Sequence, residues 1–257
     1  MDNQPRIAVL IDAENVSSKY AKLIMDEVSD YGVVTYKRIY GDFTTPSVKP
    51  WINKLQEYAI TPVLQYNYTY GKNASDFALV IDAMDILYTE KVNGFCLVTS
   101  DSDFTKLATR LREAGMIVIG MGERKTPNSL VSACETFKFL DLLYEEGEPK
   151  AVGKVVENLE TVEVEEPFEP MSSIPNLEEI EKEIASIIET KTGDEEWVNL
   201  SEIGLSLSKR VPGFDPRNYK CKKLRELIES SDTFVTKAVV NPHNKLLKII
   251  YVKVKGK

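Results

Sequence analysis

The sequence predicts an α/β domain with a mainly parallel sheet and helices on both faces, followed by a small winged-helix-like C-terminal domain. Three observations carry this reading. Up to about residue 144, continuous apolar runs of strand length alternate with helix-period segments, the pattern of strands buried on both faces. From 145 to 175 the composition becomes acidic and proline-bearing, with no lasting periodicity, as in a solvated linker. From 176 to 257, three helical patterns precede two strand patterns.

In the first domain, RIAVLID leads to a helix from about Ser17. VVTYKRIY precedes a helix from about Ser47, and ITPVLQY precedes one from about Ser75. GFCLVTS feeds a helix from about Asp103, GMIVIGMG supplies a fifth strand, and TFKFLD reads as a weak sixth. Each helix then serves as a crossover between parallel strands. There is no Gly-x-x-x-x-Gly-Lys-Ser/Thr, and GMGERK lacks GxGxxG, so the phosphate loops of ATP and dinucleotide folds are missing. In the acidic segment, Pro149, Pro167, Pro170 and Pro175 oppose regular structure, and only the alternation in TVEVE suggests an edge strand.

The formal net charge of -8 divides unevenly: residues 1–144 carry -3, residues 145–181 carry -10, and residues 182–257 carry +5. Cys96, Cys134 and Cys221 are far apart and form no CxxC, so they are expected to pack as small apolar residues. The single histidine, His243, sits in a turn-like NPHN, which disfavours a Ser-His-Asp or Cys-His enzyme. No stretch approaches the roughly 20 apolar residues of a membrane span, and the N-terminus has no basic region ahead of an apolar run. A cytoplasmic protein that does not engage membranes is expected.

Carboxylates are the remaining chemical groups, and they fall where ligands bind in open α/β sheets, beyond the carboxyl ends of strands. Asp12 ends the first strand with Glu14 and Asn15 just after it, Asp101 and Asp103 follow the fourth, and Asp76 opens the helix after the third. Asn15, Ser75 or Asp76, and Asp103 also stand where helix N-caps stand, a role worth about 1 kcal/mol each. Capping does not explain why Asp101 accompanies Asp103, or why Asp12 precedes Asn15. As a set, acids meeting in one cleft raise one another's pKa or demand a hard divalent cation.

IDAEN after the first strand, GKNASDFALVIDAMD in the middle and LVTSDSDF after the fourth strand resemble the NYN domain, the LabA-like branch of the PIN-like nucleases, over about residues 5 to 142. The resemblance implies a Rossmann-like (PIN-like) sheet whose acids bind Mg²⁺ or Mn²⁺ and hydrolyse phosphodiesters, usually of RNA. It places Asp12, Asp76 and Asp103 as metal ligands and catalytic groups, with Asp101 acting directly or through water. Asn15 and Lys72 become polar neighbours. Asp82, about 240° around the helix from Asp76, is supporting or structural. Tyr66, Tyr68 and Tyr70 alternate ahead of Lys72, suiting either base stacking or packing into the sheet. Arg124 and Lys125 follow the fifth strand and border the cleft.

In the tail, LEEIEKEIASIIET places Leu177, Ile180, Ile184, Ile187 and Ile188 at helical spacing, and a second helix starts at about Ser201. FDPRNYKCKKLRELIESS reads as a third helix with Asp215 as N-cap and Pro216 at its first position. TFVTKAVV and KLLKIIYVKVK, joined by NPHN, read as a hairpin. WVNLSEIGLSLSKRVPGFDPRNYKCKKLRELIES resembles the LOTUS or OST-HTH domain, which implies binding of single-stranded or structured RNA. Arg217, Lys220, Lys222, Lys223 and Arg225 are the candidate phosphate contacts. Other members contact proteins, so a protein partner or homo-oligomer through this domain is the second expectation. The function expected is a metal-dependent ribonuclease with an RNA-binding module; the alternative is a non-catalytic RNA-binding adaptor with a residual cation site. A small-molecule phosphohydrolase fits less well, because DAEN lacks the DxD of an aspartyl-phosphate nucleophile.

Overall fold

The computed structural model describes residues 4–65, 74–147, 174–191, 197–241 and 244–255. Six strands form one sheet: β1 (Arg6–Asp12), β2 (Val33–Gly41), β3 (Thr61–Leu64), β4 (Gly94–Val98), β5 (Ile117–Gly122) and β6 (Thr136–Phe139). Every pairing is parallel, and the order β3-β2-β1-β4-β5-β6 reverses direction between β1 and β4. The expected α/β architecture is therefore present, with the switch point at these two strands.

Strand alternation divides the core between the two faces of the sheet. Ala8, Leu10, Phe95, Leu97 and Val118 pack against α3 (Ala74–Tyr88), α4 (Thr105–Glu113) and α5 (Asn128–Ala133). Ile7, Val9, Ile11, Cys96, Val98, Ile119 and Met121 pack against α1 (Ala21–Ser29), α2 (Ile52–Tyr58) and α6 (Leu140–Gly147). Cys96 and Cys134 are buried and unpaired, as expected of small apolar residues.

Three helix starts differ from the sequence reading. Ser17, not Asn15, caps the first turn by accepting a bond from the Lys19 amide. A 3₁₀ turn precedes each of α1, α2 and α4, which moves each α-helix a few residues downstream. The short α5 and the terminal α6 are not legible in the periodicity, because α5 has only six residues. α6 extends to Gly147, past the boundary expected at 144. The TVEVE segment lies outside the described residues.

The C-terminal part contains α7 (Leu177–Lys191), β7 (Val198–Asn199), α8 (Leu200–Arg210), α9 (Leu224–Ser230), β8 (Phe234–Asn241) and β9 (Asn244–Val254). Ile180, Ile184, Ile187 and Ile188 of α7 pack with Ile203, Leu207, Leu227, Ile228, Phe234 and Val252 in a separate core. The hairpin forms as expected, with β7 added beside β9. The expected third helix is divided. Asp215 caps a 3₁₀ turn over Pro216–Tyr219, then Lys220 adopts a left-handed conformation at φ 61° and ends it before α9 begins.

The two parts touch at the sheet edge. The Phe137 amide of β6 donates to the Pro212 carbonyl at 2.7 Å, extending hydrogen bonding beyond the edge strand. A Cβ on Gly213 would lie 3.2 Å from Phe139 and 3.4 Å from Val131, so the backbone sits close against the first core. Beside it, Lys138 pairs with Asp215 at 2.5 Å, and Arg217 pairs with both Glu27 and Asp215. Burial alone would raise the Asp215 pKa, but the Arg217 and Lys138 cations hold it down to about 2.

Candidate functional site

The acids stand around the crevice beyond β1 and β4. Ile11 is opposite Val98, so Asp12 and the loop from Thr99 to Asp103 leave the sheet side by side. Asp12 is almost wholly buried, at 2% exposure. One of its oxygens accepts from the Glu14 and Asn15 amides at 3.1 and 3.2 Å; the other accepts from Asn15 Nδ2 at 2.8 Å and the Thr99 hydroxyl at 2.9 Å. Burial raises its pKa, and these donors pull it back towards the ionised form. Asn15 therefore orients Asp12 and does not cap a helix.

Thr99 is the residue that sequence reasoning missed. Its hydroxyl donates to Asp12 and accepts from the Asp101 amide at 3.1 Å, which ties the two acid-bearing strand ends together. A hydroxyl residue ending a buried strand next to an acid pair is the only sequence signal for it. Asp101 in turn is the N-cap, accepting from the Asp103 amide at 2.9 Å. This corrects the placement of the cap at Asp103, whose own side chain is exposed. The cap falls at Asp101 because that residue keeps extended backbone at φ -88°, ψ 125°, whereas Asp103 is already inside the turn.

Asp76, at the start of α3, lies within electrostatic reach of the other acids. Burial, followed by the charges of Asp12, Asp101, Glu14 and Asp103, pushes its pKa up to about 6. Glu14, named in the sequence only as a neighbour, thus joins the cluster. It also accepts from the Asp42 amide at 3.4 Å, linking the end of β2 to the site. The Ser75 hydroxyl next to Asp76 is buried and has no hydrogen-bond partner among the described residues.

A hard cation suits this donor set, which is entirely carboxylate and hydroxyl oxygen. Among the described residues, no group of three or more His, Cys, Asp or Glu side chains forms a ready-made metal cage. Mg²⁺ is usually held by one or two carboxylates and several waters, so dispersed acids of this kind still fit it.

The remaining candidates go to different places. Asp82 points to β2, where it accepts from Arg38 and from the Tyr40 hydroxyl, a structural role. Arg124 binds Asp141 at 2.8 Å and Glu145 at 3.1 Å, and Lys125 pairs with Glu123 at 2.9 Å. Arg217 directs its guanidinium to the other domain, while Lys220, Lys222 and Lys223 stay exposed on the short connection between the 3₁₀ turn and α9. Tyr66, Tyr68, Tyr70, Lys72 and His243 lie outside the described residues. No helix among the described residues is long and apolar enough to cross a membrane.

A family model for the NYN domain matches residues 6–142, and one for the OST-HTH/LOTUS domain matches residues 175–245. No curated protein sequence matches the chain significantly. Among solved structures, the chain is similar to a protein of unknown function from Vibrio parahaemolyticus RIMD 2210633, at 19% identity and a TM-score of 0.46, covering 53% of this chain and 93% of that one. It is also similar to an uncharacterized protein from Nitrosomonas europaea, at 25% identity and a TM-score of 0.27, covering 43% of this chain and 94% of that one. The first family match spans more than half of the sequence, so this protein belongs to the NYN family, in the PIN-like nuclease fold, and carries an OST-HTH/LOTUS domain behind it.

Proposed function

We propose that this protein is a metal-dependent ribonuclease that hydrolyses RNA phosphodiester bonds at the acid crevice, aided by its C-terminal RNA-binding domain. The observation that supports it best is the Asp76 carboxyl, which feels the charges of Asp12, Asp101, Glu14 and Asp103 at the switch point of the sheet. Asp12, Asp76 and Asp103 would hold Mg²⁺ or Mn²⁺, with Asp101 contributing directly or through water. Such an ion supplies positive charge that polarises the phosphate and makes water nucleophilic near neutral pH.

The chain's own groups prepare that chemistry. The Glu14 and Asn15 amides hold one oxygen of Asp12 and the Asn15 Nδ2 and Thr99 hydroxyl hold the other before substrate arrives, which removes a reorganisation cost from the reaction. Asp101 holds the turn that presents Asp103 at the surface, where a large substrate can reach it. The C-terminal domain, docked at the β6 edge, would raise the local RNA concentration. Three free cysteines suit a reducing compartment, so we place the protein in the cytoplasm.

Purified protein with Mn²⁺ or Mg²⁺ should cleave labelled single-stranded RNA, and EDTA or Asp103→Asn should abolish cleavage. Activity unchanged in both Asp12→Asn and Asp103→Asn would point to a contaminant and reject the assignment. The second reading, an RNA-binding adaptor with a residual cation site, is favoured by the dispersed placement of the acids. Binding of intact RNA without cleavage under any divalent ion would select it.

A further inference from the structure

Positive charge in the C-terminal domain is concentrated in its hairpin and the residues that follow it. Residues 234–257 contain Lys237, Lys245, Lys248, Lys253, Lys255 and Lys257 and no aspartate or glutamate, whereas residues 182–233 carry nine basic and ten acidic residues. By this count the hairpin region carries the larger net positive charge, which makes it the stronger electrostatic attractor for a polyanion.

One face of this sheet combines the charge with aromatic rings. Lys237 is opposite Tyr251, Val235 is opposite Lys253, and Val239 is opposite Ile249, so these residues share a face, while Phe234 and Val252 on the other face enter the core. β7 joins β9 with Val198 opposite Val252, which brings Trp197 level with Lys253. Lys237 Nζ lies 4.1 Å from the Trp197 ring centre and 5.6 Å from that of Tyr251, and Lys253 Nζ lies 5.6 Å from the Trp197 ring. Val235 and Val239 remain 37% and 43% exposed on the same face.

We infer that this face, built on Trp197, Lys237, Tyr251 and Lys253, is the surface on which the C-terminal domain binds single-stranded RNA, with bases stacking on the rings and phosphates meeting the lysines. Aromatic platforms edged with cations bind single strands in this way without needing a particular sequence. The lysines resting on the rings in the free protein would swing to phosphate, exposing ring surface to a base. This inference rests on the ribonuclease reading only for the identity of the ligand; it names a different contact surface from the loop at Pro216–Lys223.

The test is fluorescence-anisotropy binding of a labelled single-stranded RNA to the full chain in EDTA, so that nothing is cut. Lys237→Gln/Lys253→Gln should weaken binding and make the slope of log affinity against log salt shallower by about 1.4. Trp197→Leu should weaken it roughly 10-fold, with Trp197→Phe close to wild type. Trp51, the other tryptophan, is fully buried, so quenching of intrinsic fluorescence by RNA reports stacking at Trp197. Lys220→Gln/Lys222→Gln/Lys223→Gln should have the smaller effect. If Trp197→Leu fails to fold by circular dichroism, the double lysine variant still decides.

Wild-type binding that survives the lysine and tryptophan variants, with Trp197 unquenched, overturns this face and leaves it to an acidic protein surface. A wild-type chain that binds no RNA overturns the RNA-binding module itself, and this face with it.

Discussion

Arg217 grips Glu27 with two parallel hydrogen bonds, Nη1 to Oε1 at 2.6 Å and Nη2 to Oε2 at 2.8 Å, across 190 residues of sequence. A fork-to-fork pair of this kind fixes orientation as well as proximity. It joins the C-terminal domain to α1 of the first domain, with Lys138 and Asp215 completing a cluster of two cations and two acids. Removing one partner leaves a largely buried charge uncompensated, so Arg217→Ala should cost about 3 kcal/mol. It should also increase the radius of gyration in solution scattering. An unchanged scattering profile would reject the pair as the domain clasp. Because Asp215 titrates at about 2, its contribution is present above its ordinary pKa of 3.8 and lost only as the pH falls through about 2. The clasp should therefore hold throughout the pH range from 5 to 8.

Asp82 and Asp12 should separate structure from chemistry. Asp82→Asn weakens the contacts to Arg38 and Tyr40, and should lower the unfolding midpoint while leaving any metal-dependent cleavage within a few-fold of wild type. Asp12→Asn should abolish cleavage. Thr99→Val should lower cleavage roughly 10-fold by removing one of the two donors, Thr99 and Asn15 Nδ2, that hold the same Asp12 oxygen, a positioning effect of about 1.4 kcal/mol. Loss of cleavage in folded Asp82→Asn would move that residue into the site.

The Asp76 carboxyl gives a pH test. Its folded pKa is raised above 3.8 to about 6, so its contribution to stability is greatest below 3.8 and is lost as the pH rises through 6. Metal-free protein should thus have a higher thermal midpoint at pH 5 than at pH 7 from this group, and Asp76→Asn should flatten the difference. Added Mn²⁺ should stabilise the protein more at pH 7 than at pH 5, because protons and cation relieve the same repulsion. Equal stabilisation by Mn²⁺ at both pH values would show that the ion binds elsewhere.

Gly122 closes the site from β5. A Cβ there would lie 2.6 Å from the Thr99 carbonyl oxygen, 2.7 Å from the Thr126 hydroxyl and 3.0 Å from the Ser100 hydroxyl. Gly122→Ala must therefore push the loop that carries Thr99 and Asp101 outward. Cleavage should fall at least 10-fold in a variant that still folds, as judged by circular dichroism, since displacement of about 1 Å can cost 100-fold in rate. Wild-type activity in this variant would show that the loop tolerates displacement.

The sheet was legible in the sequence because burial on both faces leaves a direct mark, a continuous apolar run such as RIAVLID or GFCLV. Asp12, Asp76, Asp101 and Asp103 were legible because they stand at strand ends and helix starts, whose positions follow from those runs. The division of labour among them was not. Which acid caps the turn depends on the backbone angles of Asp101, and the link from Thr99 to Asp12 depends on β1 and β4 being neighbours although 87 residues separate the two side chains. Short elements such as α5 left no readable period.

By itself the sequence determined two structured regions with an acidic segment between them, and a set of carboxylates at strand ends in a chain with one histidine. Only the tertiary structure decided how its charges are used. Arg217 looked like a phosphate contact among five cations, but packing brings it to Glu27, where a buried acid takes its guanidinium. Local composition records how much charge is present; the partner that each charge meets is set by contacts between residues far apart in the chain.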